Sequence, residues 1–463
     1  MYLTEQYDYK KVLFFFEELS KIPRGSGNTK AVSDYVAGFA REHGLKVVQD
    51  DSNNVIVYLP ATAGFEGKQK IMLQGHLDMV CEKETDCAHD FLSDPLELYI
   101  DNGKLAAKGT TLGGDDGIAI AYMMALIDDK EAAHPEMELL MTTDEETGMY
   151  GAHDLDKSLL SAKYLINIDS EEEGYCFAGC AGGLRQDITL PVKKNEISGN
   201  GYTIKLNGLL GGHSGVEIHK NRLNANKTMA RILFALRDKA DYYLLDIQGG
   251  KLDNAITRDC TAKIVSDLEE DEMKALVAEI AKVLIAESGS YEPQMSLSCE
   301  KYSTGTFSCL DPVSFEKLLY ILVQAPYGVQ RMSADIAGLV ESSLNMGVVR
   351  LNEDTATIRF SLRSSVTSYK RYMSDKLTYL AEMMGASSVT EGEYPAWEYR
   401  KDSFLRDSYV KLFESEYGKK PNVCVMHAGL ECGLLSDALP DLDIISIGPD
   451  MSDVHTPAER LDI

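Results

Sequence analysis

The sequence predicts an α/β protein: a helix-flanked, mixed-sheet domain interrupted by an inserted α+β domain. Three observations carry this reading. Apolar runs of strand length alternate with helical periodicities over residues 1–183. After Gly182-Gly183 the pattern becomes period-two alternation, as in Tyr202-Thr-Ile-Lys-Leu-Asn-Gly208, which marks half-exposed antiparallel strands. Beyond residue 392 the first style returns. The expected boundaries are 1–183 and 393–463 for the two parts of the main domain and 184–392 for the insertion. A chain of 463 residues is too long for one ordinary core, and 44% hydrophobic residues supply ample material for burial.

The elements follow in order. Residues 12–20 have helical spacing and stop before Ile22-Pro-Arg-Gly25. Residues 29–42 repeat Val32, Tyr35, Val36, Phe39 and Ala40 at helical spacing, with Gly44 as cap. Residues 46–49 and 54–60 read as strands around a turn. Ile71-Met-Leu73 begins a buried strand, and Gly75 is expected to let the backbone turn as it leaves the sheet. His76 and Asp78 follow on one side of the extended chain. A hairpin is expected over residues 98–105. Gly113-Gly-Asp-Asp-Gly117 then opens a helix over 118–127 that is small or apolar on every face, hence deeply buried. Asp115 and Asp116 stand at its N-terminus, where free amides and the helix dipole stabilise negative charge. One aspartate would suffice as a cap, and two among three glycines suggest a carboxylate presented to something.

Residues 138–143 form another buried strand, ending in Asp144-Glu-Glu-Thr-Gly148. Consecutive acids there repel one another unless a cation or proton compensates. Residues 164–169 are a further strand ending in Asp169. Three buried strands thus deliver His76/Asp78, Glu145/Glu146 and Asp169 at their C-terminal ends, where open α/β sheets place their sites. In the insertion, Gly211-Gly-His-Ser-Gly215 precedes a helix over 225–237. Strands at 241–246, 254–265 and 295–299 alternate with helices at 271–287 and 314–324. A hairpin over 343–361 and a helix over 369–384 close it. The tail offers a helix at 404–416, a strand at 422–426, the turn His427-Ala-Gly-Leu-Glu-Cys-Gly433, a strand at 442–449 and a loop carrying His455.

Composition narrows the function classes. A formal net charge of -27 argues against nucleic-acid or anionic-membrane partners, because such a surface repels phosphates. The 9 cysteines are odd in number and lack zinc-ribbon spacing. Cys176 and Cys180 come nearest, but Gly179 and Gly182 suggest a turn, so all are expected to be reduced thiols. Met1-Tyr-Leu-Thr-Glu-Gln6 has no leader pattern, and no apolar run reaches membrane-spanning length. The expectation is a soluble cytoplasmic protein.

Collected, the strand-end groups are His76, Asp78, Asp115, Glu145, Glu146, Asp169 and His455. Imidazoles and carboxylates without thiols suit a pair of divalent ions of the zinc, cobalt or manganese kind. Two such ions share a carboxylate and a bridging water whose pKa falls to roughly 7, giving hydroxide at neutral pH. An unligated carboxylate nearby can take that water's proton and pass it to a leaving amine. Adjacent Glu145 and Glu146 point to opposite sides of an extended chain, which allows one ligand and one base. His219 and His427 are expected to be structural, and His43, His89, His134 and His153 to lie at the surface.

These motifs carry a resemblance. Gly75-His-Leu-Asp78, Gly114-Asp-Asp-Gly117, Asp144-Glu-Glu-Thr-Gly148, Asn167-Ile-Asp169, Gly211-Gly-His-Ser-Gly215 and His455-Thr-Pro-Ala-Glu-Arg460 resemble, in order, those of the co-catalytic zinc exopeptidases of the aminoacylase and carboxypeptidase type. Within that group the chain is most similar to the aminoacyl-histidine dipeptidases, also called Xaa-His or cytosol nonspecific dipeptidases. The resemblance implies that His76, Asp115 and Asp169 hold one metal and Asp115, Glu146 and His455 the other, zinc being the first choice. It makes Glu145 the general base and acid, and Asp78 the orienter of His76. It also implies a cis Asp115–Asp116 peptide.

By the same resemblance, the insertion is a lid and dimerisation domain, so a homodimer is expected. There His213 donates to the developing oxyanion, while Asn254 and Arg363 bind substrate. Arg363 suits a peptide's terminal carboxylate, which its fork matches bidentately. Read from the residues alone, Arg363 also fits a surface ion pair, Asn254 a turn residue and His213 a capped loop. One departure is noted: the family continues into a terminal helix, whereas Ile463 follows soon after His455, so either a covering helix is missing or the sequence is truncated. The expected function is hydrolysis of unblocked dipeptides, with Xaa-His or β-alanyl-histidine as candidate preferences. The alternatives are an N-acyl amino-acid amidohydrolase on the same scaffold and a non-catalytic homologue that binds metal or peptide.

Overall fold

The computed structural model describes residues 3–5, 7 and 9–463. The opening residues 1–6, read above for a leader, lie partly outside them. Contacts divide the chain into two units. One runs through Gly179 and resumes over Tyr399–Val425 and Leu430–Ile463; the other is Cys180–Glu398 with Met426–Gly429.

The first unit is built on an 8-stranded sheet in the order Lys46–Gln49, Val55–Leu59, Met137–Thr142, Ile71–His76, Tyr164–Asn167, Asp443–Ser446, Tyr175–Cys180, Asn422–Met426. Its centre is parallel. Ile71–His76 pairs with Met137–Thr142 on one side and Tyr164–Asn167 on the other, and Tyr164–Asn167 pairs with Asp443–Ser446. Strands covered on both faces must be apolar nearly throughout, and Met137–Thr142 is buried at every position. The helices Lys10–Leu19, Lys30–Glu42 and Gly114–Asp128 supply residues of the same apolar core. Gly114–Asp128 is buried almost all round, as its composition requires. Its first turn is irregular: Gly113 sits in the left-handed region at φ 65°, Asp115 and Asp116 leave helical dihedrals, and the peptide between them is cis.

Gly75 has a different reason from the expected turn. It lies inside the strand with no left-handed φ, and a Cβ there would come within 2.4 Å of Asp116 Oδ2 and 2.6 Å of Ala119 Cβ. Glycine is what lets the helix start close against the strand.

The second unit holds a 9-stranded antiparallel sheet. Its order is Ser296–Leu310, Lys194–Asn207, Cys260–Ser266, Tyr243–Gly249, Val340–Leu351, Thr355–Ser364, Gly182–Pro191, Ser387–Tyr394, with Gly328–Met332 beside Val340–Leu351. The helices Ala225–Arg237, Glu270–Ser288, Pro312–Gln324 and Thr367–Met384 share its apolar core.

Several expectations need correction. Cys176 and Cys180 lie in the strand Tyr175–Cys180, not in a turn; all nine cysteines are free, as expected. The strand expected at 295–299 continues to Leu310, because pairing with Lys194–Asn207 holds a stretch whose exposed side chains show no apolar signal. His134 is not a surface residue: it is 8% exposed, with Nδ1 2.8 Å from the Pro135 carbonyl. Among the described residues no helix is long and apolar enough to cross a membrane.

Candidate active site

Parallel strands end on the same edge, so the residues that follow them converge. His76 Nε2 lies 3.0 Å from Asp115 Oδ1 and 3.5 Å from Asp169 Oδ1. His455 Nε2 lies 3.0 Å from Asp115 Oδ2 and 3.0 Å from Glu146 Oε1. The two oxygens of Asp115 therefore meet two different imidazoles. Possible ligand atoms within 4.8 Å of one another form the groups Asp115/Glu146/His455, His76/Glu145/Glu146 and His76/Asp116/Asp169. Asp116 is an addition to the expected set; its Oδ2 accepts from the His76 backbone N–H at 3.1 Å. From sequence it looked like a helix cap beside Asp115.

Asp78 contacts both a ring and a turn. Its Oδ1 is 3.4 Å from His76 Nδ1, which also lies 3.1 Å from the Asp78 carbonyl. The same carboxylate accepts from Ser26 Oγ at 2.8 Å and from the backbone N–H groups of Glu145 and Glu146 at 3.2 and 3.4 Å. It thereby couples the imidazole to the turn that carries the two glutamates. Arg24, which the sequence offered only as part of a helix stop, is 2% exposed and donates to the carbonyls of Leu77, Asp78 and Gly113. Glu459 accepts from the Leu112, Gly113 and Gly114 amides at 2.8, 3.1 and 2.8 Å, fixing the turn before Asp115.

The electrostatics follow from burial and mutual contact. Burial opposes charge on His76, yet its hydrogen bonds to Asp115, Asp169 and Asp78 hold the imidazole well above its usual range. Burial also opposes charge on Asp115, but His455 and His76 hold that carboxyl below the usual carboxylate range. Hydrogen bonds to Asp115 and Glu146 raise His455 to about 11. Burial lifts Asp169 to about 6 and Glu145 well above normal, the latter with Asp169, Glu431 and Glu146 as like-charged neighbours. In such a cluster protons and cations compete for the same oxygens.

Divalent ions fit these residues. The donor set is imidazole nitrogen and carboxylate oxygen, and among the described residues Asp116 Oδ1 is buried without a hydrogen-bond partner. The crowding of acids is what a cation would relieve.

The three remaining candidates lie in the second unit. His213 pairs with Ala255 across a short two-stranded sheet, and the Ser214 amide donates to the Asn254 carbonyl at 2.8 Å. Arg363 is 9% exposed, its Nη1 donates to Tyr394 Oη at 3.0 Å, and it contributes to lowering His213, after burial. Arg363 is buried rather than at the surface, and among the described residues no salt bridge to it is found. His427 is buried, with Nε2 2.7 Å from Ser343 Oγ.

The chain is 38% identical over 455 residues to the cytosol non-specific dipeptidase of Escherichia coli (strain K12), covering 97% of this chain and 93% of that protein. The crystal structure of aminoacylhistidine dipeptidase from Vibrio alginolyticus superposes with a TM-score of 0.92 at 36% identity, over 99% of this chain and 94% of that one. Aminopeptidase PepT from Bacillus cereus ATCC 10987 shares the fold more distantly, with a TM-score of 0.55 at 16% identity over 98% and 93% of the two chains. The profile of peptidase family M20/M25/M40 matches residues 72–463, from the strand that delivers His76 to the end of the sequence, and the chain belongs to that family.

Proposed function

We infer that this chain is a metal-dependent dipeptidase that hydrolyses the peptide bond of an unblocked dipeptide. The observation that carries the reading is Asp115, with one oxygen on His76 and the other on His455. His76, Asp115 and Asp169 would hold one divalent ion and Asp115, Glu146 and His455 a second, with zinc favoured by this donor set and cobalt or manganese compatible. When bound, such ions supply Lewis acidity to the scissile carbonyl and lower the pKa of water to about 7. Glu145 takes the proton from the attacking water and gives it to the leaving amine. Burial has raised its pKa toward that task, since a base works best near the operating pH. Asp78 holds the His76 ring.

In the second unit we assign His213 to the developing oxyanion, Arg363 to the terminal carboxylate and Asn254 to the substrate. That unit would act as lid and dimerisation domain. Among the described residues its edge strand Ser296–Leu310 is paired on one side only, and it is largely exposed, an edge that a second copy can cover.

The relatives' names support free dipeptides over N-acyl amino acids, and the Vibrio protein's name supports an Xaa-His preference. The word cytosol in the other name, together with nine free thiols, supports a cytoplasmic location. A donor set complete with Glu145 disfavours a non-catalytic homologue.

The test is a panel of free dipeptides, including Xaa-His, against N-acetyl amino acids on protein loaded with zinc, cobalt or manganese. Turnover of the dipeptides and not of the N-acetyl compounds is expected; the reverse overturns the reading. Glu145→Gln should lower kcat about 10²- to 10⁴-fold with metal content near wild type. Retained activity removes Glu145 from the role.

A further inference from the structure

Beneath the candidate metal centre lies a polar network inside an otherwise apolar sheet. Glu431, first residue of the helix Glu431–Ala438, is 0% exposed, as are Thr142, Gln74 and Asn167. Glu431 Oε2 accepts from Thr142 Oγ1 at 2.6 Å and from Gln74 Nε2 at 2.5 Å. Gln74 Oε1 in turn accepts from Asn167 Nδ2 at 2.6 Å. The three partners sit on the three neighbouring parallel strands. Thr142 ends the strand leading to Glu145 and Glu146, Asn167 ends the strand leading to Asp169, and Gln74 precedes His76 in its own strand. Backbone register already sets Gln74 opposite Asn167 and His76 opposite Thr142. The side chains lock that register at the last rungs, where a ladder is free to fray.

Burying this carboxyl group is costly, because among the described residues Glu431 Oε1 has no hydrogen-bond partner and a packed apolar residue would avoid the loss. Stability alone does not explain it. We propose that Glu431 is a positioning residue for the metal centre: through Thr142, Gln74 and Asn167 it fixes how far the three ligand-bearing strand ends advance relative to one another. Spacing among His76, Glu146 and Asp169 follows from that advance. The proposal rests on the two-metal reading above.

Glu431→Leu removes the hub, Thr142→Val removes one spoke at nearly constant volume, and Glu431→Gln keeps an acceptor oxygen in place. Dissociation constants for zinc and cobalt, from chelator competition, and the visible spectrum of the cobalt-loaded protein report the centre without relying on turnover. Metal-free circular dichroism and Tm report the fold. Glu431→Leu and Thr142→Val are expected to weaken at least one ion by about 10- to 100-fold and to alter the cobalt spectrum. Glu431→Gln should stay within about threefold of wild type. The double variant Glu431→Leu/Thr142→Val should be no worse than Glu431→Leu, because both remove one shared interaction.

The proposal is overturned if Glu431→Leu binds both ions as wild type does with an unchanged spectrum. It is also overturned if Glu431→Gln falls as far as Glu431→Leu, which assigns the effect to charge. Should Glu431→Leu not fold, an unchanged affinity and spectrum in Thr142→Val overturns it equally. A wild type that binds no divalent ion overturns the metal-centre reading, and the brace with it.

Discussion

A single carboxylate can tie a loop together, and Glu217 does this beside His213. Its Oε2 accepts from the His213 backbone N–H at 2.9 Å, while Oε1 meets Lys220 Nζ at 2.9 Å and Arg222 Nη2 at 3.0 Å. The His213 hydrogen bond, followed by that from Lys220, holds the Glu217 carboxyl down to about 2. A depressed carboxyl stabilises the fold above its ordinary pKa, near 4.5, and loses that contribution as pH falls through about 2. Metal-free wild type should therefore melt above Glu217→Gln at pH 6, and the gap in Tm should narrow as pH is lowered from about 4.5 toward 2. A gap that does not change with pH would assign the effect to packing rather than charge.

Elements were legible where burial and chemistry point the same way. The strands ending at His76, Thr142 and Asn167 are covered on both faces, so their apolar runs stand out, and acids or imidazoles directly after such runs have few structural reasons to be there. Arg24 was hidden because a guanidinium bonding three carbonyls leaves no pattern in its own neighbourhood. Gln74, Asn167 and Glu431 were hidden because their partners lie on other elements. The strand Gly182–Pro191 begins with glycines that read as a break, although a Cβ on Gly183 would come within 2.5 Å of the Tyr394 ring.

Helix ends show the same limit. Lys227 lies in Ala225–Arg237, yet its Nζ donates to the carbonyls of Leu322, Val323 and Ala325 at 2.7, 2.8 and 2.7 Å, around the C-terminus of Pro312–Gln324. The last carbonyls of a helix lack partners within it, and a cation there also meets the negative end of its dipole. Lys227→Met keeps the stem and deletes the donor. The expected loss is about 2 kcal/mol, measured as a lower urea midpoint at unchanged slope; a midpoint equal to wild type would show that water replaces the ammonium without loss.

On the scale of the whole chain, the proposed metal ligands His76, Asp115, Glu146, Asp169 and His455 all belong to the first unit, and each unit has its own apolar core. The first unit gathers Asp115, Asp116, Glu145, Glu146 and Asp169 where burial makes charge expensive, so its stability should depend on cations in a way the second unit's does not. An ion that binds only the folded state stabilises by mass action, by about 2.7 kcal/mol at a free concentration one hundred times its dissociation constant. Removing divalent ions with a chelator should therefore lower protection against amide hydrogen exchange in Ile71–His76, Met137–Thr142 and Tyr164–Asn167, and leave Lys194–Asn207 and Thr355–Ser364 as they were. Restoring zinc should restore protection in the first three. The effect should weaken as pH falls, because binding must displace protons from the same carboxylates and imidazoles. Equal loss in both sets of strands would mean that the two units unfold as one cooperative body, and no loss in either would mean that the acid cluster does not depend on a cation.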